Sequence, residues 1–143
     1  MDLNANGQVD DGSELFGNGA EMIADGSAAG NGFLALGQYD ETFTGGNEDG
    51  VIDHRDGIWG HLYLWLDRNT NGLSDPGELI HVADAGFTRF GTIPTETKSH
   101  YDKHGNWLRY WAKATRLENG QPTTLDMVDV YLLKVKEKDN GNG

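Results

Sequence analysis

Asp67-Arg68-Asn69-Thr70-Asn71-Gly72-Leu73-Ser74-Asp75-Pro76-Gly77-Glu78 is the stretch whose reading decides the fold. Side-chain oxygens stand at its first, third and fifth positions (Asp67, Asn69, Asn71), glycine at the sixth (Gly72), and Asp75 and Glu78 at the ninth and twelfth. A calcium ion takes six to eight oxygen ligands, and a twelve-residue loop can supply them from positions 1, 3, 5, 7, 9 and 12. Glycine at position 6 permits the sharp turn between them. Every position is filled here, with the Leu73 carbonyl at 7 and Glu78 able to give both oxygens. The competing reading is a solvated turn ahead of an acid-rich helix start, because Asp and Glu also favour helix N-termini. Magnesium fits poorly, since it prefers a tight octahedron with retained waters.

Two further stretches repeat the pattern. Asp2-Leu3-Asn4-Ala5-Asn6-Gly7-Gln8-Val9-Asp10 aligns with Asp67 to Asp75 residue for residue, with the Gln8 carbonyl at position 7. Its twelfth position is Ser13, so Glu14 must reach in from one place later, through an adjusted backbone at Asp11-Gly12. Asn47, Asp49, Gly50, Val51 (through its carbonyl), Asp53 and Asp56 fill positions 3, 5, 6, 7, 9 and 12 of the remaining copy, but Gly45 stands at position 1. Asp40 can supply that ligand if residues 41–46 bulge outward. With Asp rather than Glu at the twelfth position, coordination is expected to be weaker there.

Charge follows the same division. Residues 1–86 hold sixteen Asp and Glu against Arg55 and Arg68, a net of −14, whereas residues 87–143 hold seven acids against nine bases. A compact unit with that much local negative charge repels itself unless cations neutralise it. No basic stripe faces nucleic-acid phosphates. The sequence has no cysteine, which excludes disulfides and thiolate metal sites, and no apolar run approaches the length of a membrane helix. Glycine is abundant, at 21 residues, but four Trp, five Tyr and five Phe are enough to build a core. Met1 running straight into a polar loop is expected of a domain excised from a longer protein.

The expected elements are short. Residues 14–17 read as a helical turn, 17–31 as a Gly-rich surface loop, 33–39 as a short helix, 53–59 as the start of another, 61–66 as a strand and 76–85 as a helix opened by Pro76. Residues 87–93, 108–115 and 128–135 read as strands, giving a β-hairpin and one further strand. The expected fold class is thus α+β, with calcium loops joined by short helices and strands. One domain spans 1–135 (three loops in 1–86, a β-rich part in 87–135), and 136–143 is a flexible tail.

Other candidates are weaker. His100 and His104 have the i, i+4 spacing of a zinc site, but no Glu follows His100 and Gly105-Asn106 marks a turn. His54-Arg55-Asp56 resembles a kinase triplet only in its letters. The aromatics Trp59, Tyr63, Trp65, Trp107, Tyr110 and Trp111 read as core before they read as a sugar platform.

The run from Asp2 to Gly17, then Asn31 to Leu36, Asn47 to Asp56 and Leu64 to Leu79, resembles EF-hand-like calcium modules of large secreted bacterial proteins. It is similar in particular to the self-processing module of iron-regulated RTX proteins, over roughly residues 1–95. That resemblance implies secretion or cell-surface exposure, folding on extracellular calcium, and attachment to the rest of a larger parent protein. In self-processing members an Asp-Pro bond just before the module is cut and the new Asp end can be joined to a lysine. Here the chain begins downstream of that point, and its one Asp-Pro, Asp75-Pro76, lies inside a loop. The expectation is a calcium-stabilised structural module without catalysis, nucleic-acid binding or membrane insertion. The alternatives are part of a self-processing module and a carbohydrate or adhesin-type domain.

Overall fold

The computed structural model describes residues 1–134, so the expected tail at 136–143 lies outside the described residues. Seven strands and one short helix are present: α1 (Gly32–Gly37), β1 (Val51–Ile52), β2 (Tyr63–Trp65), β3 (Leu79–His81), β4 (Phe87–Gly91), β5 (Thr95–Glu96), β6 (Trp107–Glu118) and β7 (Gln121–Tyr131). All pairings are antiparallel. Strand β6 carries β7 along one edge and β4 and β5 in succession along the other, and β1 extends the sheet beyond β4. A separate two-stranded sheet, β2 with β3, encloses the loop at 67–78.

This overturns the α+β expectation. The molecule is mainly antiparallel β, and no EF-hand helices flank its loops. Helix 76–85 is absent: Pro76 and Gly77 form a turn, Gly77 has φ of +84°, and the chain enters β3 at once. Leu79, Ile80 and His81 pair with Trp65, Leu64 and Tyr63, so sheet pairing takes the backbone that a helix needed. Residues 53–59 form a turn and then a single 3-10 stretch, Gly57–His61, and the turn near Glu14 is likewise 3-10, Gly12–Glu14. Of the expected α-helices only α1 forms, capped by the Asn31 side chain accepting from the Leu34 N–H at 2.8 Å, while the expected strands at 61–66, 87–93 and 108–115 are present as β2, β4 and β6.

The expected strands 87–93 and 108–115 pair antiparallel as β4 and β6, but the further strand expected at 128–135 begins at Gln121 and forms one long hairpin with β6. Its two-residue turn, Asn119-Gly120, has positive φ at both positions (+50° and +75°), the backbone that fits the twist of tightly joined strands. Along β7 exposed and half-buried residues alternate from Thr123 to Tyr131, as a strand with one covered face requires.

The core lies where the main sheet meets the loop-bearing half. Leu36, Ile52, Ile58, Leu62, Val82, Phe90 and Ala114 form it, with Phe16, Trp59, Leu64 and Met127 packed against them. Ile52, fully buried, is the residue after Val51 in the second loop. The core is therefore continuous with the second loop.

Candidate metal centres

The three loops share one backbone. Positive φ recurs at the fourth position (Ala5 +56°, Glu48 +58°, Thr70 +55°) and the sixth (Gly7 +76°, Gly50 +82°, Gly72 +72°). Left-handed backbone at a non-glycine residue is disfavoured, so its recurrence at one position of three loops marks a common demand. The first carboxylate meets that demand. Asp2 accepts the N–H groups of Asn6 (3.1 Å) and Gly7 (2.8 Å), and Asp67 those of Asn71 (3.2 Å) and Gly72 (2.9 Å).

Asp40 does the same in the second loop, accepting from Asp49 (3.3 Å) and Gly50 (2.7 Å). Residues 41–46 fold outward as a 3-10 turn at Thr42–Thr44, and Gly46 doubles back onto Asp40 so closely that a Cβ there would lie 2.1–2.4 Å from its backbone. The Glu48 N–H donates to the Asp40 carbonyl at 2.7 Å, closing the bulge, and Asn47 continues from Asp40 as Asn4 continues from Asp2.

The last carboxylate closes each loop from the other side. Glu78 accepts the N–H of Arg68 (3.2 Å) on one oxygen and of Asp75 (3.1 Å) on the other, and Glu14 accepts those of Leu3 (3.0 Å) and Asp10 (2.9 Å). Glu14 reaches this place from one residue later because the 3-10 turn at Gly12–Glu14, capped by Asp11, takes up the extra residue. Asp56 accepts only the Asp53 N–H, at 2.8 Å. One methylene shorter than Glu, it leaves Oδ1 buried with no hydrogen-bond partner. Burial without compensation raises the Asp56 carboxyl above its ordinary pKa, and the charges of Asp40, Asp53 and Asp49 add to the rise.

Positions 3, 5 and 9 face one another. Asp10 accepts the side-chain amides of Asn4 (2.7 Å) and Asn6 (2.8 Å), and Asp75 those of Asn69 (2.9 Å) and Asn71 (2.8 Å). These amides hold the Asp75 carboxyl below the usual range. Asn47 points its carboxamide at Asp40 Oδ1 (3.1 Å) and Asp49 Oδ1 (3.0 Å). The N–H groups at position 7, of Gln8, Val51 and Leu73, are each taken by the side chain at position 5. Among the described residues no three His, Cys, Asp or Glu side chains converge closely enough to hold an ion by themselves. Much of each loop's oxygen is amide and main-chain oxygen, and the asparagine NH2 groups bridge to the carboxylates.

The residues nevertheless fit a hard cation in donor type: oxygen donors stand at all six positions, and one buried carboxylate oxygen lacks a partner. Among the described residues, six of the nine buried polar side chains are loop carboxylates (Asp2, Glu14, Asp40, Asp53, Asp56, Glu78), which concentrates buried negative charge in the loops. Loops 1 and 3 also touch at equal positions, the Val9 N–H donating to Ser74 Oγ at 2.8 Å.

Residues 1–133 match the family model described as the SPM domain. The chain belongs to the SPM domain family. It is 32% identical over 131 residues to iron-regulated protein FrpA of Neisseria meningitidis serogroup C, covering 92% of this chain and 11% of that protein. The relation to an iron-regulated bacterial protein drawn from the residues therefore stands, and this SPM domain spans about a tenth of the relative's length.

Elsewhere in the SPM domain the aromatic residues are engaged with one another. Trp107, Tyr110 and Tyr131 surround the Arg109 guanidinium at 4.3, 5.0 and 5.0 Å, Trp59 packs on Phe90, and Trp111 on His100. The Trp65 indole donates to Glu78 at 3.3 Å. Two contributors were not singled out from the sequence. Ser74 joins two loops, and the Arg55 guanidinium bridges Asp49 and Asp53 in the second. The alignment did carry a signal for Arg55, because the other two loops have glycine at its position.

Proposed function

We propose that this SPM domain is a calcium-dependent structural module of a larger secreted or cell-surface bacterial protein, binding one ion in each of three loops and having no catalysis of its own. The observation that carries the reading is the threefold repeat of one arrangement: a first carboxylate holding two N–H groups, a last carboxylate closing the loop, and left-handed backbone at positions 4 and 6. Calcium would be held by Asp2, Asn4, Asn6, Asp10 and Glu14, by Asp40, Asn47, Asp49, Asp53 and Asp56, and by Asp67, Asn69, Asn71, Asp75 and Glu78. The carbonyls of Gln8, Val51 and Leu73 would complete the sets. Turning each asparagine amide by half a turn presents its oxygen in place of its NH2. Titration of calcium into the chain, followed by calorimetry and by Trp65 emission, tests this. Three binding events are expected, and no heat and no emission change at millimolar calcium would refute the reading.

The resemblance to self-processing modules gives a second reading, in which the parent protein is cut at an Asp-Pro bond outside this chain. Asp75-Pro76 is not proposed as that bond, because the Asp75 carboxylate is held by two asparagine amides and its N–H by Glu78. The carbohydrate-binding reading draws no support from the aromatics, whose rings stack on one another and on Arg109.

A further inference from the structure

Arg55 stands at the eleventh position of the second loop, where the first and third loops have Gly12 and Gly77. Its guanidinium reaches back across the loop. Nη2 lies 2.5 Å from Asp49 Oδ2 and 2.8 Å from Asp53 Oδ2, and Nε lies 3.1 and 3.2 Å from the two Asp53 oxygens. In the other loops the ninth carboxylate is held by neutral asparagine amides instead. The second loop also places four carboxylates (Asp40, Asp49, Asp53, Asp56) at its candidate ligand positions, against three in each of the others. Beside this pair lies the one buried loop oxygen without a hydrogen-bond partner, Asp56 Oδ1, whose charged neighbours are the same carboxylates.

We propose that Arg55 is a tethered cation that occupies the second loop and must be displaced before a divalent ion can enter it. The inference rests on the calcium reading of that loop and adds a regulatory element to it. The guanidinium reaches only part of the set, because it engages Asp49 and Asp53 and leaves Asp56 Oδ1 unserved. A small divalent ion serves all of them. The Arg55 side chain is 52% exposed, so nothing in the packing prevents it from swinging into solvent. The extra carboxylate strengthens the loop's attraction for calcium and the internal competitor opposes it, so removing Arg55 lowers the calcium concentration at which the second loop fills. An exposed ion pair of this kind changes the affinity by up to roughly fivefold.

The test is a calcium chloride titration of the whole chain followed by NMR. The Gly7, Gly50 and Gly72 amides each donate to the first carboxylate of their own loop and so report it separately. In the parent chain the Gly50 amide and the Arg55 Nε–H should shift together as calcium is added. In Arg55→Gly and Arg55→Gln the Gly50 midpoint should fall roughly two- to fivefold, with the Gly7 and Gly72 midpoints unchanged. An Arg55 Nε–H that stays in place while Gly50 titrates, or a Gly50 midpoint unmoved in both variants, overturns the proposal and leaves the calcium reading intact. Failure of all three glycines to respond removes the calcium reading, and the role of Arg55 with it.

Discussion

Asp56 shows how much depends on one methylene. Glu14 and Glu78 each spend both oxygens on backbone N–H groups, while Asp56 leaves one buried oxygen unmatched. A buried acceptor without a partner costs about 1–3 kcal/mol, more when it is charged. Asp56→Asn removes the charge and keeps an acceptor for the Asp53 N–H. It should therefore stabilise the calcium-free chain by about 1 kcal/mol, roughly 3 °C in melting temperature measured in chelator. The same substitution should weaken the second site at least about tenfold in calorimetry, since a hard cation loses a charged ligand. A variant that melts lower in chelator would show that the unmatched oxygen is not a liability. Asp40→Ala should act differently, costing stability with and without calcium, because it also frees the N–H groups of Asp49 and Gly50.

Between elements, the contact of Val9 with Ser74 ties the first loop to the third, while the second is anchored separately through β1 and β4. Asp67→Ala or Glu78→Ala should abolish binding in the third loop and lower affinity in the first, leaving the Gly50 response unchanged in an NMR titration. The loops were legible in the sequence because their side chains are spaced by chemistry: Asp40 was placed across a five-residue insertion, and Glu14 across a shift of one. The connecting elements were less legible. Pro76 at the head of an acid-bearing stretch reads as a helix start, yet Gly77 takes positive φ and the alternating Leu79, Ile80 and His81 pair with β2. The first part of strand β7, ahead of the strand read from residue 128, was missed because it is an edge strand whose first residues, Gln121, Pro122, Thr123 and Thr124, carry no apolar alternation. Asn119-Gly120 was the available signal for that hairpin. Gly120→Ala, forced to keep a φ of +75°, should destabilise the fold by about 1 kcal/mol or more in thermal melts with calcium present.

For the whole molecule, buried loop carboxylates sit beside a core that includes Ile52 and Leu62, so calcium is expected to control global stability. An ion that binds only the folded chain adds about 4 kcal/mol at a thousand times its dissociation constant. Chelation should therefore lower the melting temperature and flatten the near-UV signal of Trp59 and Trp65. Calcium should also protect Asp75-Pro76, and intact-mass measurement after incubation at neutral pH should find no fragment beginning at Pro76. The outward fold at residues 41–46 has a separate consequence for engineering. Its two ends are already clasped, with Gly46 lying on Asp40 and the Glu48 N–H on the Asp40 carbonyl, and Phe43 at its tip is 65% exposed. Lengthening a loop whose ends are pinned adds only about 0.6 kcal/mol per doubling of its length. Foreign peptide spliced between Thr42 and Thr44 is thus held at the mouth of the second loop, which makes this tip a natural port for a grafted epitope.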